Sequence, residues 1–307
     1  MTAVERICRF RLGLGALATG LLLTCALPVW AGAPTASEKR YEVQIIKDVP
    51  YYTGPGMNKT RHKLDLYLPK GARDFPVLFF VHGGAWMMGD KDLFGLHHPI
   101  GIFFARHGIG VVMTNYRLSP QVHFPVHEED VARAFAWTVQ NIGKYHGRAD
   151  QIFALGHSAG GQIVALLGTD ESYLKARGLS FRNLKGVICC SGVYEIPADN
   201  SFFDKSFTTD PKLRRRASPL DCIKEGDPPF LLFCADHDLP FCGKPYAEKF
   251  CEALQAKHIP AELHEIAHRT HNSCFLSAHY ENDPVARTIL EFVRVHTADK
   301  SAVKASP

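Results

Sequence analysis

The chain has 307 residues, of which 46% are hydrophobic and 21% charged, with a formal net charge of +4. That is an ordinary globular composition, long enough for one large core or two small ones. The modest charge argues against a nucleic-acid partner and a polybasic membrane patch, and no fixed-period repeat runs through the chain.

The N-terminus has a composition of its own. Arg6, Arg9 and Arg11 precede the apolar run "LGLGALATGLLLTCALPVWAGA", which ends in small residues. This three-part layout predicts a secretory signal peptide over 1–31 and hence an exported, periplasmic or secreted protein. The run approaches the length of a short membrane span, but Gly13, Gly15, Gly20 and Pro28 weaken such a helix. No stable span is therefore expected after cleavage. Cleavage removes one acid and three arginines, leaving +2, and takes Cys8 and Cys25, leaving seven of the nine cysteines. Export permits disulfides, and an odd count leaves at least one thiol unpaired.

A polar linker is expected over 32–40. Apolar strand-like runs then alternate with amphipathic stretches. "KLDLYLP" and "FPVLFFVH" read as strands, and the second runs directly into "HGGAW", residues 82–86. Glycines there let the backbone approach a substrate without a Cβ in the way, as donors for a developing oxyanion must. A helix over 100–106 and the strand "IGVVMTNYR" follow. Pro125 then opens the stretch "VHEEDVARAFAWTVQNIGKYH", where Ala132, Phe135, Ala136 and Val139 share one helical face. Asp130, near the start of that helix, reads as structural.

The strand "QIFAL" leads into "GHSAG", residues 156–160, and then an apolar helix. This is G-x-S-x-G in the strand–turn–helix context that gives the pattern its meaning. A serine on so sharp a turn needs small neighbours, which Gly156, Gly160 and Gly161 provide. The helix start offers N–H groups to an oxyanion. Ser158 is thus the candidate nucleophile, with Gly83, Gly84 and Ala159 as oxyanion donors. His157 reads as packing or pocket rim.

Further on come the strand "LKGVICCSG", an irregular insertion over about 194–228, the strand "PFLLFCAD", the helix "KPYAEKFCEALQAKH", the strand "AELHEI" and the helix "PVARTILEFVRVH". Fully apolar strands between amphipathic helices predict a mostly parallel sheet covered on both faces. Within the insertion, Phe202, Phe203 and Phe207 are candidates for an apolar lid. Trp86 is a candidate pocket wall.

These segments resemble the α/β-hydrolase superfamily, and within it the esterase branch that carries an HGG oxyanion loop. "VHGGAWMMGDK", "NYRLSP", "FPVHEEDVARAFAWTVQNI", "GHSAGGQIVALL" and "PPFLLFCADHD" carry the likeness, over about 60–296. Ala85 stands where lipase-like members have a third glycine, and His157 where they have an acid. The chain is in this closer to carboxylesterases and feruloyl-esterase-like proteins, and to the HGGxW pattern of arylformamidases.

The resemblance implies an α/β-hydrolase catalytic domain over 41–298, with a flexible tail over 299–307, and ester cleavage through an acyl-enzyme without a cofactor. Formamide hydrolysis is the alternative. The triad order Ser, acid, His implies Asp236, the first carboxylate past its strand, with Asp238 as rival. It also implies His271 in "THNS", with His268 as rival. A disulfide between Cys242 and Cys274, on the acid and histidine loops, is a further expectation.

One pattern competes. His264, Glu265 and His268 spell HExxH, the signature of zinc peptidases, which needs a helix to bring both imidazoles to one ion. "AELHEI" alternates like a strand, where residues four apart lie about 13 Å from each other. That separation predicts no metal site. With serine, acid and histidine all in order, a non-catalytic binding protein is the weaker reading.

Overall fold

A computed structural model describes residues 39–297. The expected signal peptide over 1–31, most of the linker and the tail over 299–307 lie outside these residues. The described residues form one compact unit.

Eight strands form one sheet in the order β1-β2-β4-β3-β5-β6-β7-β8. They are β1 (Val43–Pro50), β2 (Lys63–Pro69), β3 (Phe75–Val81), β4 (Gly110–Thr114), β5 (Gly147–His157), β6 (Gly186–Cys190), β7 (Phe230–His237) and β8 (Ala261–Thr270). β1 and β2 pair antiparallel and β2 meets β4 antiparallel, while every pairing from β4 through β8 is parallel. The mostly parallel sheet matches the expectation. β1 was not anticipated: its burial runs half-buried, exposed, exposed, so it lacks the apolar signature of the central strands.

The central strands are apolar throughout because both faces are covered. On β3, Val77, Phe79 and Val81 enter one core, while Leu78 and Phe80 enter the other. The first core packs under α2 (Val126–Asn141), α3 (Ala159–Thr169) and α4 (Lys244–Ala256); Phe135 of α2 meets Phe79 edge-on with ring centroids 5.4 Å apart. The second packs under α1 (His98–Arg106), α5 (His271–Leu276) and α6 (Pro284–Thr297). Asp130, fully buried on α2, accepts from Arg117 at 2.7 and 2.8 Å, from Arg133 at 3.1 Å and from His62 at 3.2 Å. It ties the helix to the loop after β4, the structural role expected of it.

Parallel strands place all their C-terminal ends on one side of the sheet. There β3 ends at "HGGAW", β5 at Ser158, β6 at Ser191, and β7 and β8 at the acid and histidine segments. The insertion lies between β6 and β7 as short helices, among them Asp204–Phe207 and Pro211–Arg216.

Candidate active site

Ser158 sits between β5 and α3 with φ 56° and ψ −121°, a conformation a side-chain-bearing residue rarely adopts. Such strain costs on the order of 1–3 kcal/mol and persists only when neighbours enforce it. Its N–H donates to Cys190 O at 2.9 Å, anchoring the turn to β6. Close approach enforces the rest: a Cβ on Gly160 would lie 2.1 Å from Val81 O, and one on Gly156 would lie 2.2 Å from Gly160 O. The small residues of "GHSAG" are therefore fixed by backbone meeting backbone.

The elbow aims the Ser158 hydroxyl at α5. Ser158 Oγ lies 2.8 Å from His271 Nε2, and His271 Nδ1 lies 2.6 Å from Asp238 Oδ1. An ionised carboxylate only accepts, so Nδ1 carries the proton and Nε2 is left to accept from the serine. His271 opens α5, held by a capping box in which Thr270 and Ser273 exchange hydrogen bonds. The Asp238 side chain is almost wholly buried. Burial pushes its carboxyl up, but hydrogen bonds from His271, from Ser191 Oγ at 2.6 Å and from Ala235 N at 2.9 Å outweigh it and hold the pKa below the ordinary value.

The acid is thus a correction to the sequence expectation: Asp238, not Asp236, meets His271. β7 continues through His237, so Asp236 still lies within the sheet. The β7–β8 register runs from Ala235↔Ile266 to His237↔Thr270, which leaves a bulge on β8 opposite Asp236. The Asp236 carboxylate accepts from the N–H groups of His268 at 2.7 Å and Arg269 at 2.9 Å inside that bulge. The His237 imidazole, together with these two N–H groups, holds its carboxyl well below the usual range. Of the two expected histidines, His271 faces Ser158, whereas the rival His268, at φ 59°, is exposed on the bulge.

His264 and His268 both lie on β8, as the alternation predicts, and not on a helix. Among the described residues one group could hold a metal ion, Asp238, Cys242 and His271, with ligand atoms within 4.8 Å of one another. Two of these three are already each other's hydrogen-bond partners. The expected Cys242–Cys274 disulfide is not made: all seven cysteines of the described residues are free thiols, and Cys242 belongs to the first core while Cys274 belongs to the second.

Gly83, Gly84 and Ala159 line one cavity with Ser158 and His271, about 1050 Å³ in volume. A Cβ on Gly83 would lie 2.9 Å from Ser158 Cβ, so only glycine lets the loop come this near. Ala159 is the first residue of α3, where N–H groups have no partner within the helix. All four expected pocket residues, Trp86, His157, Phe202 and Phe203, line the same cavity. Trp86 is buried, donates from Nε1 to Gln162 Oε1 at 2.8 Å, and meets Phe207 edge-on at 4.7 Å. Phe203 and Phe207 are buried against the body and only Phe202 is exposed, so the expected lid is mostly a wall.

His157 donates from Nε2 to His271 O at 3.0 Å and stacks on Phe275 with centroids 5.4 Å apart. Burial, reinforced by nearby His271, lowers its pKa to about 3. It stays neutral, so it positions His271 without opposing a positive charge there. Ser191 was not anticipated. Its position directly after "GVICC", at the strand end beside Ser158, is the signal that points to it.

The BD-FAE family profile matches residues 64–242, more than half of the chain. Among curated relatives, the esterase LipQ of Mycobacterium tuberculosis is 28% identical over 84% of this chain and 63% of its own length. A probable isoprenylcysteine alpha-carbonyl methylesterase of Arabidopsis thaliana is 29% identical over 77% of this chain and 59% of its own. The chain thus spans about three-fifths of these relatives, 63% and 59% of their lengths. The kynurenine formamidase of Danio rerio is 23% identical over 83% of this chain and 84% of its own. Among solved structures, a truncated carbohydrate esterase from gut microbiota superposes with TM-score 0.70 at 17% identity, covering 85% of this chain and 99% of that one. A tributyrin-phosphonate-inhibited Esterase B of Lactobacillus rhamnosis gives 0.71 at 20% identity, covering 88% and 92%. The likeness to these structures is one of fold. With the profile match, it establishes that the chain belongs to the BD-FAE family and has the α/β-hydrolase fold.

Proposed function

We propose that the protein is an exported serine hydrolase that cleaves carboxylic esters through an acyl-enzyme. The observation that carries this reading is the continuous chain Asp238–His271–Ser158, with contacts of 2.6 and 2.8 Å, whose serine and histidine line the cavity. His271 Nε2 takes the Ser158 proton as Oγ attacks the ester carbonyl carbon. The carbonyl oxygen, now negative, is met by the N–H groups of Gly83, Gly84 and Ala159. When the intermediate collapses, His271 returns the proton to the departing alkoxide. Water then repeats the sequence on the acyl-enzyme and releases the acid. Asp238 keeps the imidazole in the right tautomer and stabilises its charged form. Export rests on the residues of 1–31 alone.

Ser158→Ala is expected to lower ester turnover by about 10⁴-fold or more while the protein stays folded. Near-normal turnover of a short-chain aryl ester by that variant would contradict the mechanism. A second reading, formamide hydrolysis, draws on "HGGAW" and on the similarity to a kynurenine formamidase. Parallel turnover measurements on N-formylkynurenine and on simple acyl esters separate the two.

A further inference from the structure

Eight large hydrophobic side chains of the described residues are exposed, and five of them line the cavity that holds Ser158. Met88 is 64% exposed, Phe94 100%, Leu96 51%, Phe202 54% and Leu239 53%. They come from four separate segments: the oxyanion loop, the loop before α1, the insertion and the loop after β7. A single apolar run in the sequence does not explain their convergence. Scattered exposed hydrophobics are normal on a protein surface, but a contiguous patch around a cleft marks a binding site.

Phe94 is held out by backbone structure. Leu93 and Phe94 adopt φ 43° and 55°, both left-handed and both unfavourable for residues with side chains. The turn closes through Gly95 N–H to Asp92 O at 3.0 Å and Leu96 N–H to Leu93 O at 3.1 Å. Two charged groups along the cavity, Arg61 and Asp90, are taken up by the protein itself. Arg61 donates to Gly89 O at 2.8 Å and lies 3.8 Å from Asp90, while Asp90 accepts from Asn115 at 2.7 Å. A cavity of about 1050 Å³ far exceeds what an acetyl group fills and reaches the upper end of sites for drug-sized ligands.

We infer that the ester bound here carries a long or bulky apolar arm, which runs from Ser158 through the cavity and lies on the rim formed by Met88, Phe94, Leu96, Phe202 and Leu239. The inference rests on Ser158 being the ester-cleaving nucleophile. The occupant is the substrate's own arm because the rim is continuous with the cavity that ends at Ser158 Oγ.

The test uses two ester series below their solubility limits: p-nitrophenyl esters from acetyl to decanoyl, and alkyl acetates from ethyl to decyl followed by acetate release. Each buried methylene favours binding, so kcat/KM in one series should rise at least about tenfold from its shortest to its longest member. The double variant Phe94→Ser, Leu96→Ser changes two exposed side chains, and it should lower the long-to-short ratio of kcat/KM at least about threefold. Both series flat or falling with length, while turnover still requires Ser158, would overturn the inference and leave the hydrolase reading intact. Turnover that does not require Ser158 would overturn that reading instead. Sedimentation that gives a dimer for the parent chain and a monomer for the double variant, with no length preference, would assign the rim to a second copy and also overturn the inference.

Discussion

The two halves of the site are built in opposite ways. The serine half, β5–Ser158–α3, lies mid-sheet, and its geometry comes from backbone contacts as close as those at Gly156 and Gly160. The acid–histidine half lies at the sheet edge, where β7 meets the terminal strand β8, and its geometry comes from side chains: Asp236 filling a bulge, Thr270 capping α5, and Ser191 holding Asp238. Local backbone crowding leaves a short sequence pattern behind. Long-range side-chain fit does not, and that is why one half was readable and the other had its acid misassigned.

The largest expected effect sharpens the edge half. His271→Ala should reduce kcat/KM by about 10⁴-fold, whereas His268→Ala should stay within a few-fold, because only the first imidazole touches Ser158. Steady-state kinetics of both variants on one aryl ester check this. Comparable losses would mean that the bulge moves during turnover.

Next comes the backbone half. Gly160→Ala puts a Cβ 2.1 Å from Val81 O, where no flexible side chain can yield. Overpacking of this kind costs on the order of 3 kcal/mol, or roughly a 6 °C fall in Tm for a chain this size. Unchanged thermal melting would remove the packing account of the motif.

An effect of similar size concerns the support behind the elbow. Glu128 of α2 is fully buried; its Oε1 accepts from Gln162 Nε2 at 3.2 Å, and Oε2 has no partner. Burial, with Glu129 and Asp130 nearby, raises its pKa from 4.5 to about 7. In that window the folded chain retains a proton that the unfolded chain releases, so this group makes stability fall as pH rises from about 4.5 through 7. The loss amounts to about 3 kcal/mol above that range. Glu128→Gln should remove it, so the variant should gain Tm relative to the parent between pH 5 and pH 8. A pH-independent difference in Tm would mean that Glu128 is ionised throughout.

Much of the fold was legible because its central strands are apolar on both faces and the helices between them amphipathic. β1 was missed for the converse reason: it is an edge strand with mostly exposed side chains. "HGGAW" and "GHSAG" were legible since the demand for small residues is local. The acid was not, because β7 runs two residues beyond its apolar stretch, and the sequence does not reveal that a bulge on β8 engages Asp236. The HExxH spelling misleads through the same cause: it lies on that bulged strand. The apolar rim around Ser158 was invisible because its five side chains come from segments about 150 residues apart at the extremes.

The most direct test of the triad is kcat/KM on one aryl ester for Asp238→Asn beside Asp236→Asn, with thermal melting to confirm that both are folded. Asp238→Asn should lose about 10³–10⁴-fold, because the amide forces the wrong imidazole tautomer, and Asp236→Asn should lose only a few-fold. The reverse order, with Asp236→Asn the inactive variant, would contradict the account.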